Sequence, residues 1–210
     1  MVQIIQAQNI NFAYLEEKFQ LHKSAREEFF PEWLQNLPEV NDLEKQFLDR
    51  VKANFLHLIM QPPFLENAVK MVVLSPLLDL AGFYNNPFYL ATEKSIELAV
   101  KDNDEIVRGR IDVLVVQQQL WLLVVESKKA SFSLLEAIPQ ALIYMLNNPN
   151  KEKPVFGLVT NGEDFQFLKL QNQERPVYAL SDKFTLFRRR NELYQVLSIL
   201  KKLGSIISEQ

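Results

Sequence analysis

The sequence predicts an α/β protein: a central mixed β-sheet flanked by helices in the order α-β-β-β-α-β, with further helices before this core and one after it. Three observations carry that expectation. Apolar residues recur at helical spacing up to about residue 83, and the period changes to that of strands at Tyr89. A helical stretch then separates the first strands from a second hairpin turning on Asn161-Gly162.

The elements follow in order. Before Pro38 the pattern is helical but weak. Over residues 40–60, Leu43, Phe47, Val51, Phe55 and Leu58 repeat at helical spacing, and Asn41 with Glu44 forms a candidate capping box. Pro62 and Pro63 end that helix. A second helix is expected over 64–80, kinked or restarted at Ser75-Pro76 and stopped by Gly82. YLATEKSIELAV from Tyr89 is a strand and KDNDEI a loop. The stretch RGRIDVLVVQQQLWLLVVESKKA (108–130) then makes a hairpin turning near Gln118-Gln119. Its arms are continuous apolar runs, as in strands covered on both faces. SLLEAIPQALIYML is helical despite Pro139, PVFGLVT and FQFLKL are strands, and a last amphipathic helix over 191–203 is closed by Gly204.

At 210 residues and 48% hydrophobic, the chain can bury one sizeable core. A net charge of −3 argues against a DNA coat but leaves room for a local basic groove. The absence of cysteine excludes structural disulfides and Cys-ligated zinc. His22 and His57 both fall in helical-looking segments away from the hairpin, so any metal site must rest on oxygen ligands, which suits Mg²⁺ or Mn²⁺. Gly157 and Gly162 have P-loop spacing, but Glu163 and Asp164 stand where Lys and Ser/Thr are needed, so no nucleotide site is expected. The N-terminus lacks a secretory pattern and no apolar run spans a bilayer. A cytoplasmic protein without a membrane partner is expected.

The charged tips of the hairpin are the chemically informative feature. Glu126 and Lys128 point to one face of their strand, and a turn at 118–119 sets Asp112 roughly opposite Glu126. Two carboxylates brought together in a buried place repel, and a divalent cation relieves that repulsion. A salt bridge among the three is the plain structural alternative. The short pattern also recurs at Glu16-Glu17-Lys18 inside a helical stretch, so its context matters more than its letters.

In that context the residues resemble the PD-(D/E)xK nuclease superfamily, with Gly109-Arg110-Ile111-Asp112 as a Gly-x-x-Asp version of its first motif. FLENAVKMVVLSPLLDLAGF (64–83) is similar to the helix that opens the N-terminal nuclease domain of type I restriction enzyme R subunits. Gln140 and Tyr144 match the Gln-x-x-x-Tyr of related nucleases, and FGLVTNGEDFQFLKL (156–170) resembles the strand–turn–strand that closes the domain. The resemblance implies a restriction-endonuclease-like core over residues 63–170, within one domain of 1–210. Residues 1–62 form a helical extension and 171–210 a strand-and-helix extension.

It also implies roles. Asp112, Glu126, the Ser127 carbonyl and Glu66 would hold Mg²⁺ (or Mn²⁺). Lys128 would assist the attacking water, and Gln140 would orient Lys128 or the substrate. Without the resemblance, Glu66 is a first-turn acid favoured by the helix dipole and Tyr144 a core tyrosine. Lys129, Arg108, Arg110 and Tyr144 are candidate nucleic-acid contacts, whereas Arg188, Arg189 and Arg190 read as a solvated charge run. R subunits carry motor domains and this chain ends before any could begin. The expectation is therefore a free-standing, Mg²⁺-dependent DNA endonuclease that takes specificity from a homodimer or a partner protein. The alternative is a catalytically silent nuclease-fold module that binds nucleic acid or assembles with other subunits.

Overall fold

The computed structural model describes residues 3–61, 66–100, 105–117, 120–126 and 133–208; for residues 66, 116, 117, 120–126, 207 and 208 it describes the backbone alone. The chain begins with strand β1 (Gln3–Gln6), helix α1 (Phe12–Phe19) and strand β2 (His22–Lys23). Helix α2 (Asp42–Ile59) follows, then α3 (Glu66–Val69), a π-helical turn (Lys70–Leu74) and α4 (Ser75–Leu80). Next come β3 (Tyr89–Val100), β4 (Glu105–Gln117), β5 (Leu120–Glu126) and helix α5 (Leu134–Leu146). Strands β6 (Val155–Thr160), β7 (Asp164–Gln171) and β8 (Val177–Thr185) and helix α6 (Leu193–Ser208) complete the chain.

The strands form one mixed eight-stranded sheet, ordered β1-β4-β5-β6-β7-β8-β2, with β3 also paired to β4. This is the α/β, restriction-endonuclease-like core expected, with a wider sheet. Helices cover both faces. On one, α2, α4 and α6 bury Leu48, Leu77 and Leu200 against Phe156, Leu158 and Phe167. On the other, α5 buries Ile138, Ala141 and Leu142 against Val155, Val159 and Leu168. The strand alternation of β6 sends Phe156 and Leu158 one way and Val155 and Val159 the other, which explains its unbroken apolar run.

Local chemistry sets most boundaries as expected. Asn41 accepts from the Glu44 amide at 3.0 Å and its own amide donates to Glu44 Oε2 at 2.9 Å, so the capping box is formed. The helix over 66–80 runs without an interruption in residues but changes type. Pro76 has no N–H, and just before it the Ser75 amide donates to the Lys70 carbonyl five residues back. Gly82, at φ 84°, ends it.

Three expectations change. The segment before Pro38 is not purely helical: β1 pairs in parallel with β4 and β2 with β8, because sheet edges supply partners that a local pattern does not reveal. His22 is accordingly on a strand at the far edge of the sheet. Gly204 does not close the last helix, which runs to Ser208; it lets the Phe83 ring approach, since a Cβ there would lie 3.1 Å from it.

Strand β4 is the element that builds the site. Its first edge pairs with β3 from Tyr89↔Val116 to Val100↔Glu105. On the second edge, β1 covers Glu105 to Arg108 and β5 covers Val113 to Gln117. Among the described residues, no strand pairs with 109–112 on that edge. At the same place the alternation breaks. Val107 and Ile111 belong to the α5 side, but Val113 and Val115 to the opposite side. The rung between Glu93 and Asp112 is missing from the β3–β4 ladder, and Glu93 takes a left-handed φ of 53°.

Candidate active site at the break in strand β4

An interrupted ladder leaves backbone donors to be satisfied elsewhere. Opposite residues 109–112, α5 supplies the replacement. The Arg110 amide donates to the Tyr144 hydroxyl at 3.1 Å, and Gln140 Nε2 donates to the same oxygen at 2.8 Å. Tyr144 is 1% exposed. Burial pushes its phenol up from the usual range, the two donated hydrogen bonds pull the other way, and the nearby Asp112 charge adds to the rise. The ring passes so close to Gly109 that a Cβ there would lie 2.4 Å from the hydroxyl and 2.7 Å from Ala7 Cβ. The glycine of Gly-x-x-Asp and the tyrosine of Gln-x-x-x-Tyr are therefore two halves of one contact.

Tyr144→Phe should lower stability by about 1–3 kcal/mol, because the Arg110 amide and the Gln140 side chain lose a shared acceptor. Urea unfolding measures this directly. An unchanged midpoint would mean that neither donor depends on the phenol.

Asp112 stands at the break, and a cleft of about 720 Å³ opens beside it. Gln140, Tyr144, Arg108, Gly109 and Arg110 line this cleft with Asp112, so six residues singled out in the sequence meet there. Asp112 Oδ1 lies 3.3 Å from Lys70 Nζ, with both side chains 23% exposed. Arg108 pairs with Glu97 at 2.8 Å and Arg110 with Glu93 at 3.2 Å, both in exposed pairs across the β3–β4 ladder.

Other expected site residues fall differently. Glu66 opens α3, one turn before Lys70, but its side chain lies outside the described residues. Glu126 ends β5 opposite Thr160 of β6, and its side chain is likewise outside them. Ser127, Lys128 and Lys129, and the turn at Gln118-Gln119, also lie outside the described residues. The rough opposition expected of Asp112 and Glu126 lies just past the end of the β4–β5 ladder. The β4–β5 ladder ends at Val113↔Val124, so its register continued would set Asp112 against Val125. The break at Asp112 releases it from the alternation that the expectation assumed.

Sequence reasoning missed Lys70, Asn67 and Glu93, which also line the cleft. A signal existed for two of them. Asn67 and Lys70 are three apart on the helix that begins at Glu66, and so share a face. Glu93 gave none, since it reads as one more residue of a strand.

A hard divalent cation suits what the described residues offer. Asp112 is a part-buried carboxylate in the cleft, an oxygen donor of the kind such a cation takes, while the Lys70 ammonium paired with it is a charge that a bound cation would have to displace. Among the described residues, no three His, Cys, Asp or Glu side chains converge to hold a metal, so Asp112 would need ligands from residues beyond them. His57 is hydrogen-bonded to Gln61 at 3.2 Å on the exposed side of α2, and His22 is on the far sheet edge; neither lines the cleft. No helix among the described residues is long and apolar enough to cross a membrane.

The family model of the type I restriction enzyme R protein N terminus matches residues 4–175. The match begins well before residue 63, where the motif resemblance starts, and so takes in β1, α1 and α2. No curated protein matches the chain.

Proposed function

Because the chain belongs to the family of type I restriction enzyme R protein N termini, we propose that it hydrolyses DNA phosphodiester bonds as an Mg²⁺- or Mn²⁺-dependent endonuclease. The family is a nuclease-like module of type I restriction enzymes, with the PD-(D/E)xK fold. The observation that carries the reading to this chain is the break in β4. It removes Asp112 from the core and gathers Gln140, Tyr144 and Lys70 around it in one cleft. A strained backbone beside it, the left-handed Glu93, costs about 1–3 kcal/mol and is the kind of feature found at working sites.

In this reading Asp112, Glu126 and the Ser127 carbonyl hold the cation, with Glu66 joining directly or through water. When bound, the cation neutralises phosphate charge and makes an attacking water more acidic. Lys128 steadies the developing negative charge or holds the water in line. Gln140, tethered by Tyr144, keeps Lys128 or the substrate oriented. Arg108 and Arg110 sit in exposed ion pairs worth little, so each can exchange its glutamate for a backbone phosphate, and Lys129 is a further candidate phosphate contact. Specificity then comes from a second copy or a partner protein, in the cytoplasm.

A silent binding module is the second reading, favoured by the net charge of −3 and by a lysine, Lys70, already paired with Asp112. Incubation of the purified chain with single- and double-stranded DNA separates the two. Cleavage in Mg²⁺ or Mn²⁺ that stops in EDTA is expected. Binding without cleavage in either metal would leave only the module.

A further inference from the structure

A second hollow of about 430 Å³ adjoins the cleft, and its character is different. Asn67, Lys70, Glu93 and Asp112 form the wall common to both. Away from that wall the lining turns apolar: Leu74 and Leu78 are buried at its base, and Leu90, Met71 and Tyr84 surround them. Met71 is 74% exposed and Tyr84 47%, more than a side chain that only fills a core would be. Tyr84 is nonetheless fixed. Its hydroxyl is 2.9 Å from Ser75 Oγ and donates to the Ser75 carbonyl at 3.2 Å, which anchors the ring to the turn that follows Lys70.

We propose that this hollow receives one unpaired nucleobase, the base attached to the phosphate held at Asp112, so that the substrate is single-stranded DNA or a base extruded from a duplex. The inference rests on the nuclease reading for the phosphate and adds the state of the base. A nucleotide joins an anionic phosphate to a flat apolar base through one sugar, and the two hollows join a polar cleft to an apolar one through one wall. A tethered aromatic ring with a thioether beside it offers a stacking surface that accepts any base. Asn67 and Thr92 at the rim offer polar contacts to a base edge. Inside a duplex each base is paired and stacked on its neighbours, and cannot enter a pocket beside its own phosphate. The volume is in the range of small-ligand pockets. The continuity with the Asp112 cleft favours a nucleotide over a partner's apolar side chain as occupant.

The test uses the full chain and a short oligodeoxynucleotide carrying one 2-aminopurine, single-stranded or annealed, in Ca²⁺. Anisotropy of an end label reports binding and 2-aminopurine fluorescence reports stacking. The single strand should bind at least about ten-fold more tightly than the duplex, with the probe quenched. Tyr84→Ala and Met71→Glu should each weaken single-strand binding about ten-fold, the size of one lost stack, and leave the weaker duplex binding alone. Tyr84→Phe keeps the ring and should bind within about two-fold of wild type. Met71 is so exposed that its variant is not a folding risk. Equal binding of both forms, indifference to both variants, or no binding of either DNA by the wild type overturns the proposal. The same mixtures moved to Mg²⁺ separate the two ideas. Cleavage indifferent to Tyr84 removes the base pocket and keeps the nuclease, whereas Tyr84-dependent binding without cleavage does the reverse.

Discussion

On the proposed function, Asp112→Asn is expected to lower metal-dependent cleavage at least about a thousand-fold while leaving the fold intact. The expected size follows from what a bound cation supplies, several kcal/mol of charge stabilisation, at about 1.4 kcal/mol for each factor of ten in rate. Asparagine keeps the shape of the side chain but offers a neutral oxygen, a poor ligand for a hard cation. Stability should move by no more than about 1 kcal/mol, because the pair with Lys70 is partly exposed and such pairs contribute little. Circular dichroism and a urea titration check the fold, and a time course of DNA cleavage in Mg²⁺ checks the rate. Lys128→Ala belongs in the same series, as the residue proposed to steady charge without holding the cation. An Asp112→Asn protein that kept a tenth of the wild-type rate would remove Asp112 from the reaction.

Gly162→Ala should destabilise the protein by about 2–5 kcal/mol, the combined cost of a left-handed backbone and an overpacked contact. Gly162 has φ 89° in the turn between β6 and β7. The turn is cross-braced: the Gly162 amide donates to Thr160 Oγ1 at 3.0 Å, and Asn161 Oδ1 accepts from Asp164 at 2.8 Å. A Cβ on Gly162 would stand 2.7 Å from both Val69 methyls and 3.3 Å from Phe55. Val69 immediately precedes Lys70, so the turn is also the seat on which the cleft-lining helix rests. Cleavage should therefore fall along with stability. Adding Val69→Ala ought to restore part of the loss, which a double-mutant cycle of unfolding free energies would read as strong coupling. Simple additivity in that cycle would mean the clash is relieved elsewhere and only the backbone cost is real.

Much of this was legible from residue order, and the particular misses have physical causes. The capping box at Asn41, the hairpin at Asn161-Gly162 and the one-faced spacing of Gln140 and Tyr144 are local chemistry, settled within four residues. The strands β1 and β2 were not legible, since a strand of two to four residues carries too little pattern of its own and exists only because an edge of β4 or β8 is there to receive it. Asn67 and Lys70 shared a visible helical face, but only the folded chain brings Lys70 within 3.3 Å of Asp112, forty-two residues on.

The sequence by itself determined the α/β class, most of the elements, and the family, because periodicity, caps and spaced motifs are written in neighbouring residues. It also brought Asp112, Glu126 and Lys128 forward as a set, to which the resemblance added Gln140 and Tyr144; Asp112, Gln140 and Tyr144 are the ones that line one cleft. The tertiary structure alone decided why they form one place. Among the described residues, strand β4 has no strand partner on one edge over residues 109–112, its alternation breaks at Asp112, and Tyr144 from α5 accepts from the Arg110 amide. Period-two reasoning cannot foresee this, because a gap in a ladder depends on where three other strands begin and end.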